Sequence, residues 1–272
     1  MLIIILSIII VLLAALFVLA TKGRRYHPDL PKLRGWYYAH RGLHGNGLPE
    51  NSMAAFRAAL EHGYGIELDV HLMKDGNLAV IHDSPLLRTT GQAGEIEDLT
   101  TEDLPRYNLE NTDETIPTFR QVLDLFDGKA PMIVEIKTHN NNFAAVAEAV
   151  CNMLQDYQGA YCLESFDPRC IIWLRQNRPD LIRGQLSYNY FSSKNPLPFS
   201  MKFLLTNHLL NCLSKPDFVA YNFRHRHVIG NFLARKIWGV QGVSWTIRTP
   251  EDCAKAKAEG WLPIFEGFIP ES

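Results

Sequence analysis

The stretch 66–83, IELDVHLMKDGNLAVIHD, decides how the rest of the chain is read. Successive side chains of an extended strand point to opposite faces, so Glu67, Asp69 and His71 share one side while Ile66, Leu68 and Val70 share the other. Two carboxylates and a histidine thus project together from a strand that is otherwise apolar. Lys74-Asp75-Gly76-Asn77 is dense in turn formers, and the apolar run 78–81 beyond it returns the chain to a second polar pair, His82-Asp83. The hairpin brings Glu67, Asp69 and His82 towards one place. Burying two like charges side by side costs several kcal/mol unless a cation neutralises them, and a divalent metal does so most directly.

An acidic pair alone would equally suit the solvent-facing side of a half-exposed sheet. Two further stretches favour a site. Upstream stands Tyr38-Ala39-His40-Arg41-Gly42, and downstream Ile133-Val134-Glu135-Ile136-Lys137. Each is a short apolar strand ending in ionisable residues, the pattern expected where strand ends assemble a site.

From these three strands the alternation extends along the chain. A strand at 36–40 precedes a helix opened by Pro49-Glu50-Asn51-Ser52, with Asn51 or Ser52 as cap and Met53, Phe56 and Leu60 at helical spacing. Helices are expected at 118–126, 144–157, 168–176, 229–238 and 251–259, and strands at 132–136, 161–165, 182–186, 218–221, 243–247 and 263–265. With 78–81 as an antiparallel outgrowth of the second strand, eight parallel strands remain, which predicts a closed (β/α)8 TIM barrel over an open doubly wound sheet. The sequence has no G-x-G-x-x-G opening a helix, so a dinucleotide fold has little support. One connection, 187–216, is too long for a plain barrel. It carries Tyr188, Tyr190, Phe191 and Phe199 and is expected as an insertion at the mouth: a substrate cover, a membrane-touching element or a docked surface helix.

Composition bounds the function. The 272 residues are 47% apolar and 21% charged, enough for one large domain and an appendage. The net charge of -2 offers no general attraction to nucleic acid, and no obligate protein partner is evident. Five cysteines, at 151, 162, 170, 212 and 253, have no C-x-x-C spacing and read as free thiols in a reducing compartment. Residues 1–20, MLIIILSIIIVLLAALFVLA, hold no charged side chain. At about 1.5 Å per residue they nearly span a hydrocarbon core of roughly 30 Å. Positive charge follows this segment at Lys22, Arg24 and Arg25 rather than preceding it, which favours a transmembrane helix over a secretory leader, although Val18-Leu19-Ala20 resembles a weak cleavage site. The division expected is a transmembrane helix at 1–21, a basic tether at 22–35 and a barrel domain at 36–272, single-pass in the cell membrane with the barrel on the cytoplasmic side.

The strand-end groups form a chemical set. Glu67, Asp69 and Glu135 offer oxygen ligands suited to Mg²⁺ or Ca²⁺; His40 and His82 titrate near working pH; Arg41 and Lys137 carry positive charge for phosphate. Metal, acid-base pair and cationic clamp together equip a site to cleave a phosphodiester.

AHRG at 39–42, PENS at 49–52, the stretch 66–83 and VEIK at 134–137 resemble, in order and spacing, the glycerophosphodiester phosphodiesterase family. Ser165-Phe166-Asp167-Pro168 and Trp245-Thr246 are similar to its later motifs, so the resemblance runs from Trp36 to the C-terminus. It implies a TIM barrel of the phospholipase-C-like phosphodiesterase type that hydrolyses glycerophosphodiesters to an alcohol and glycerol 3-phosphate. By position it implies Glu67, Asp69 and Glu135 as metal carboxylates, His40 and His82 as the acid-base pair, and Arg41 and Lys137 as phosphate-binding cations. Trp245 and Glu164 are candidate substrate contacts, Glu164 being an acidic addition to the family pattern whose alternative role is a salt bridge to a nearby arginine. The family's use of a neighbouring glycerol hydroxyl as first nucleophile, through a cyclic phosphate, is implied in the same way.

Departures from the family pattern are His71, where relatives commonly carry Gln, and Phe265-Glu266-Gly267-Phe268, where many carry Thr-Asp. His71 is expected behind the metal ligands or simply packed, and His62 and His139 at the surface. Arg224-His225-Arg226-His227 is a basic run after a strand, either a headgroup contact at the mouth or a solvated turn. The alternatives to a soluble-diester hydrolase are a lysophospholipase D acting on membrane lysophospholipids and a non-catalytic phospholipid-binding barrel. An aldolase-like use of Lys137 would leave three carboxylates and Arg41 idle.

Overall fold

The computed structural model describes residues 1–270. Helix α1, Leu2–Ala20, has no buried residue. Beyond it come β1 (Tyr38–His40), α2 (Met53–Glu61), β2 (Gly65–Leu72), β3 (Leu78–Val80), the single turn α3 (Leu87–Thr90), α4 (Phe119–Phe126) and β4 (Met132–Ile136). There follow α5 (Phe143–Met153), β5 (Tyr161–Ser165), α6 (Pro168–Asn177), β6 (Arg183–Ser187), α7 (Phe199–Thr206) and α8 (Asn211–Ser214). The chain ends with β7 (Phe218–Asn222), α9 (Ile229–Phe232), β8 (Gln241–Ile247), α10 (Pro250–Ala258) and β9 (Trp261–Phe265).

β1 pairs in parallel with both β2 and β9, which closes the barrel; β3 alone runs antiparallel, on β2, as the 66–83 hairpin predicts. Parallel strands covered on both faces tolerate little exposed polarity, and all five residues of β4 are buried. Helices begin where the sequence supplies caps. The Ser52 hydroxyl accepts from the Ala55 N–H, and Thr118 with Gln121 forms a reciprocal capping box.

Alternation along the strands separates two cores. Outward residues such as Leu68, Val134 and Leu163 pack with Phe56, Phe119 and Phe126 of the helix layer. Inward residues nearer the floor, Tyr38, Ile133 and Phe218, pack on Leu30 and Leu33. A single 3-10 turn, Leu30–Leu33, therefore plugs the floor from within the tether, and the Tyr38 hydroxyl donates to the Leu33 carbonyl at 2.7 Å.

Some elements differ from expectation in detail. The helix predicted at 229–238 is α9 followed by a π-turn, Leu233–Ile237, in which the Trp238 N–H bonds to the Leu233 carbonyl at 3.1 Å. The 187–216 connection contains a 3-10 turn, Tyr190–Ser192, then α7 and α8. All five cysteines are free, and four of them are buried.

Candidate active site

The strand register sets the site's floor. Asp69 on β2 lies beside Glu135 on β4, which lies beside Glu164 on β5, so acidic residues that read as separate strand ends form one belt. Oxygens of Glu67, Asp69 and Glu135 fall within 4.8 Å of one another, and all three residues are buried. Lys137 Nζ pairs with Asp69 Oδ1 at 2.8 Å and with Glu135 Oε1 at 2.6 Å. Arg41 stands 3.5 Å from Asp69 and donates to Glu50 at 2.9 Å. The Asn51 amide also donates to Asp69, at 2.9 Å.

Arg41 reaches this position through a left-handed backbone, φ 53°, and its own N–H bonds to Glu67 at 3.2 Å. Gly42 follows with φ 80°, where a β-carbon would lie 2.9 Å from both Ala55 and Phe56. The AHRG turn thus needs glycine at its end for two reasons, backbone angle and the closeness of α2.

Four buried carboxylates, Glu67, Asp69, Glu135 and Glu164, face two cations, Lys137 and Arg41. The imbalance appears in their proton affinities. Burial, then the charges of Asp69 and Glu135, push Glu67 well above the usual carboxylate range. Burial raises Glu135 to about 7 against the pull of Lys137, and Glu164 also rises well above normal through burial and the charges of Glu67 and Glu135. For Asp69 burial is outweighed by Lys137, His82 and Arg41, so it stays ionised. Glu164 Oε2 is buried with no hydrogen-bond partner among the described residues. An oxygen-rich cluster with negative charge in excess of its lysine and arginine is the environment a hard divalent cation fits.

Both histidines line the same cleft of about 270 Å³. His40 Nδ1 meets Glu266 Oε2 at 2.7 Å, and His82 Nδ1 meets Asp83 Oδ1 at 2.6 Å. A carboxylate behind Nδ1 holds the proton there and leaves Nε2 as the exchanging atom. His40 Nε2 stands 3.8 Å from Glu67. Burial holds both imidazoles below their usual 6.5 despite those carboxylates. Arg88 ties the His82 side together, pairing with Asp83 and donating to Glu50 at 2.6 Å.

Of the predicted site residues, His40, Arg41, Glu67, His82, Glu135, Glu164 and Trp245 line the cleft, and Lys137 and Asp69 adjoin it through their contacts with Glu135. Trp245 Nε1 is a buried donor without a partner among the described residues. His71 packs behind the site: its Nδ1 meets Glu97 at 2.6 Å and its Nε2 meets the His82 carbonyl at 3.2 Å, bracing the loop that carries His82. His62 is exposed, but His139 is half-buried, with Nε2 3.4 Å from Glu95. Arg226 of the basic run is buried on Glu259, with bonds of 2.7 and 2.9 Å, rather than solvated.

The residues that back the two histidines were not identified from sequence. Asp83 adjoins His82 and could have been found from that adjacency. Glu266 lies 226 positions from His40 and becomes its neighbour only because β9 pairs with β1.

The glycerophosphoryl diester phosphodiesterase family profile matches residues 40–267. A Bacillus altitudinis glycerophosphodiester phosphodiesterase is 41% identical over 130 residues, covering 44% of this chain and 53% of that protein, so the matched stretch spans about half of that relative. The Bacillus subtilis protein YhdW is 29% identical over 235 residues, covering 82% of this chain and 90% of its own length. In structure, an Oleispira antarctica phosphodiesterase in complex with sn-glycerol-3-phosphate superposes with a TM-score of 0.69 at 21% identity, covering 86% of this chain and 93% of that one. The barrel, the strand-end carboxylates and a profile match across nearly all of the barrel agree: the chain belongs to the glycerophosphoryl diester phosphodiesterase family.

Proposed function

We propose that the protein hydrolyses glycerophosphodiesters to an alcohol and glycerol 3-phosphate with the help of a divalent metal. The observation that carries this reading is one cleft lined by two carboxylate-backed histidines over a belt of carboxylates too negative for its own cations. Glu67, Asp69 and Glu135 would hold the metal, Mg²⁺ or Ca²⁺, which would screen the phosphate's charge and lower the cost of nucleophilic approach. Arg41 would grip phosphate oxygens. Lys137, paired with Asp69 and Glu135, would offer a further N–H to phosphate. Trp245 Nε1 and Glu164 would meet the glycerol moiety.

The steps follow from the histidines. The glycerol hydroxyl next to the diester gives its proton to Nε2 of one imidazole and bonds to phosphorus. The other imidazolium gives a proton to the departing alcohol oxygen as its P–O bond breaks, leaving a cyclic phosphate. Water then opens the ring with the two roles exchanged, restoring both histidines. Acid-base groups of this kind typically contribute roughly 10²–10⁴-fold each.

The division into a membrane helix at 1–21, tether at 22–35 and barrel at 36–272 belongs to the same proposal, with the barrel on the cytoplasmic side by virtue of Lys22, Arg24 and Arg25. Ties between α1, the tether and the barrel support retention of the helix: Trp238 Nε1 donates to the Val18 carbonyl at 2.9 Å, and Arg24 of the tether donates to buried Asp217 at 2.6 Å.

A second reading, hydrolysis of lysophospholipids, is favoured by a run of aromatic rings leaving the cleft. Trp245 meets Phe166 at 5.7 Å, Phe166 meets Tyr188 at 6.0 Å, and Tyr188 stacks on Tyr190 at 4.1 Å, a surface an acyl chain could follow. The test is glycerol 3-phosphate release by the full chain in nanodiscs from glycerophosphocholine, with and without chelator. Chelator-sensitive release supports the first reading. Cleavage of lysophosphatidylcholine alone supports the second, and no cleavage of either substrate sinks both.

A further inference from the structure

The C-terminal end of α1 is held between two elements that the chemistry does not use. On one side the Phe17 ring lies 6.0 Å from Phe203 of α7, and Asn211 of α8 donates to the Thr21 carbonyl at 3.4 Å. On the other, Trp238, just after the π-turn that extends α9, donates to Val18 and Thr21. These two sides are fastened to each other. His208 Nε2 meets Asn231 Oδ1 at 2.8 Å in a buried pair, and a β-carbon on Gly230 would lie 2.2 Å from the Asn207 carbonyl oxygen, so the backbones touch. Together they form a collar around the point where α1 joins the barrel.

The collar exposes large apolar side chains on both halves: Phe199 at 75% and Phe203 at 41% on α7, Ile229 at 53%, Phe232 at 55% and Ile237 at 54% on the other side. Single exposed apolar residues are ordinary, whereas a group on adjoining elements calls for an occupant. Charge points to its chemistry. Lys215 Nζ reaches the Lys22 carbonyl, and Lys22 Nζ sits 4.9 Å over the Trp238 ring, so cations gather at the end of α1 beside the apolar face. A face of aromatic and aliphatic side chains edged by lysines, continuous with a 19-residue apolar helix, matches the interfacial layer of a bilayer containing anionic phospholipid.

We infer that α7 and the α9 segment form a seat that lies in the headgroup layer, with Phe199 and Phe232 entering the acyl boundary and Lys22 and Lys215 on anionic headgroups. The inference rests on α1 spanning the membrane. Its consequence is a fixed orientation of the barrel. Phe191 meets Phe199 at 5.3 Å and directly follows Tyr190, so the aromatic run from the cleft ends at the seat.

The test uses the full chain in phosphatidylcholine–phosphatidylglycerol nanodiscs, with spin labels at Phe199→Cys, Phe232→Cys, Ile9→Cys within α1, and Leu87→Cys as an exposed control. Cys212, the one native cysteine that is not buried, is replaced by serine, and glycerol 3-phosphate release checks that each labelled chain is folded. The expected result is access to oxygen and exclusion of a nickel chelate at 9, 199 and 232, with nickel access at 87. Nickel access at 199 and 232 with exclusion at 9 overturns the seat but leaves the membrane helix. Nickel access at 9 as well overturns the membrane reading itself. Exclusion of both probes at 199 and 232 means a protein covers the face and also overturns the seat. In nanodiscs of phosphatidylcholine alone, labels 199 and 232 are expected to be shallower; equal depth removes Lys22 and Lys215 from the seat.

Discussion

The two ends of the barrel handle buried charge in opposite ways. At the floor, Asp217 is fully buried, and its charge is met by the Arg24 guanidinium and by the Arg183 N–H at 3.0 Å. Leu30 and Leu33 pack with Phe218 in the floor core. At the mouth, Glu67, Asp69, Glu135 and Glu164 outnumber Lys137 and Arg41, and burial lifts three of the four carboxyls out of their normal range. Burying charge is costly in both places, yet at the floor the buried carboxylate finds its guanidinium partner within the chain. The excess of carboxylate at the mouth is the charge that a divalent cation would neutralise.

Five substitutions test this contrast. The largest effect belongs to the mouth: His40→Ala and His82→Ala should each lower turnover about 100-fold or more with melting temperature little changed. A variant with near-normal turnover takes that histidine out of the mechanism. At the floor, Arg24→Ala should do the reverse, costing about 2 kcal/mol in denaturant unfolding because Asp217 loses its partner, while kcat of the folded fraction holds. If kcat falls instead, the two ends are coupled and the contrast fails.

Glu266→Gln ranks next. It keeps the shape behind His40 and weakens its grip, so a fall of about 10-fold in kcat with KM unchanged is expected. A rise in KM alone would make Glu266 a binding residue rather than a positioning one. Smallest is a charge away from both ends. The Arg226 hydrogen bond holds the Glu259 carboxyl down to about 2, from an ordinary 4.5. A depressed folded-state value stabilises above 4.5, and that contribution is lost as pH falls from 4.5 through about 2. Glu259→Gln should therefore flatten the acid decline in stability across that window, as followed by urea unfolding at each pH. An unchanged slope would mean the pair contributes nothing.

Much of the mouth was legible in the chain. Period-two alternation put Glu67 with Asp69 on one face, and the 66–83 hairpin brought His82 to them, because both are local consequences of strand geometry. What sequence could not supply came from closure. Glu266 sits behind His40 only once the ninth strand meets the first, and Arg24 finds Asp217 across 193 positions. Strand spacing carries no record of those partners. His139 was misplaced at the surface for a related reason: the segment 95–97, which half-buries it, packs there through tertiary contacts. The collar around α1 was legible only as an unusually long aromatic connection, since its packing on α9 needs Gly230 beside Asn207, a contact between distant segments.

The excess of buried carboxylate at the mouth should act as a divalent-cation site. Calorimetric titration of the metal-stripped full chain with Mg²⁺ or Ca²⁺, alongside Glu67→Gln and Glu135→Gln, tests it directly. A single site per chain is expected in the parent protein, with its loss or marked weakening in both variants. Binding of equal strength in all three, or no binding to a folded parent, would contradict it.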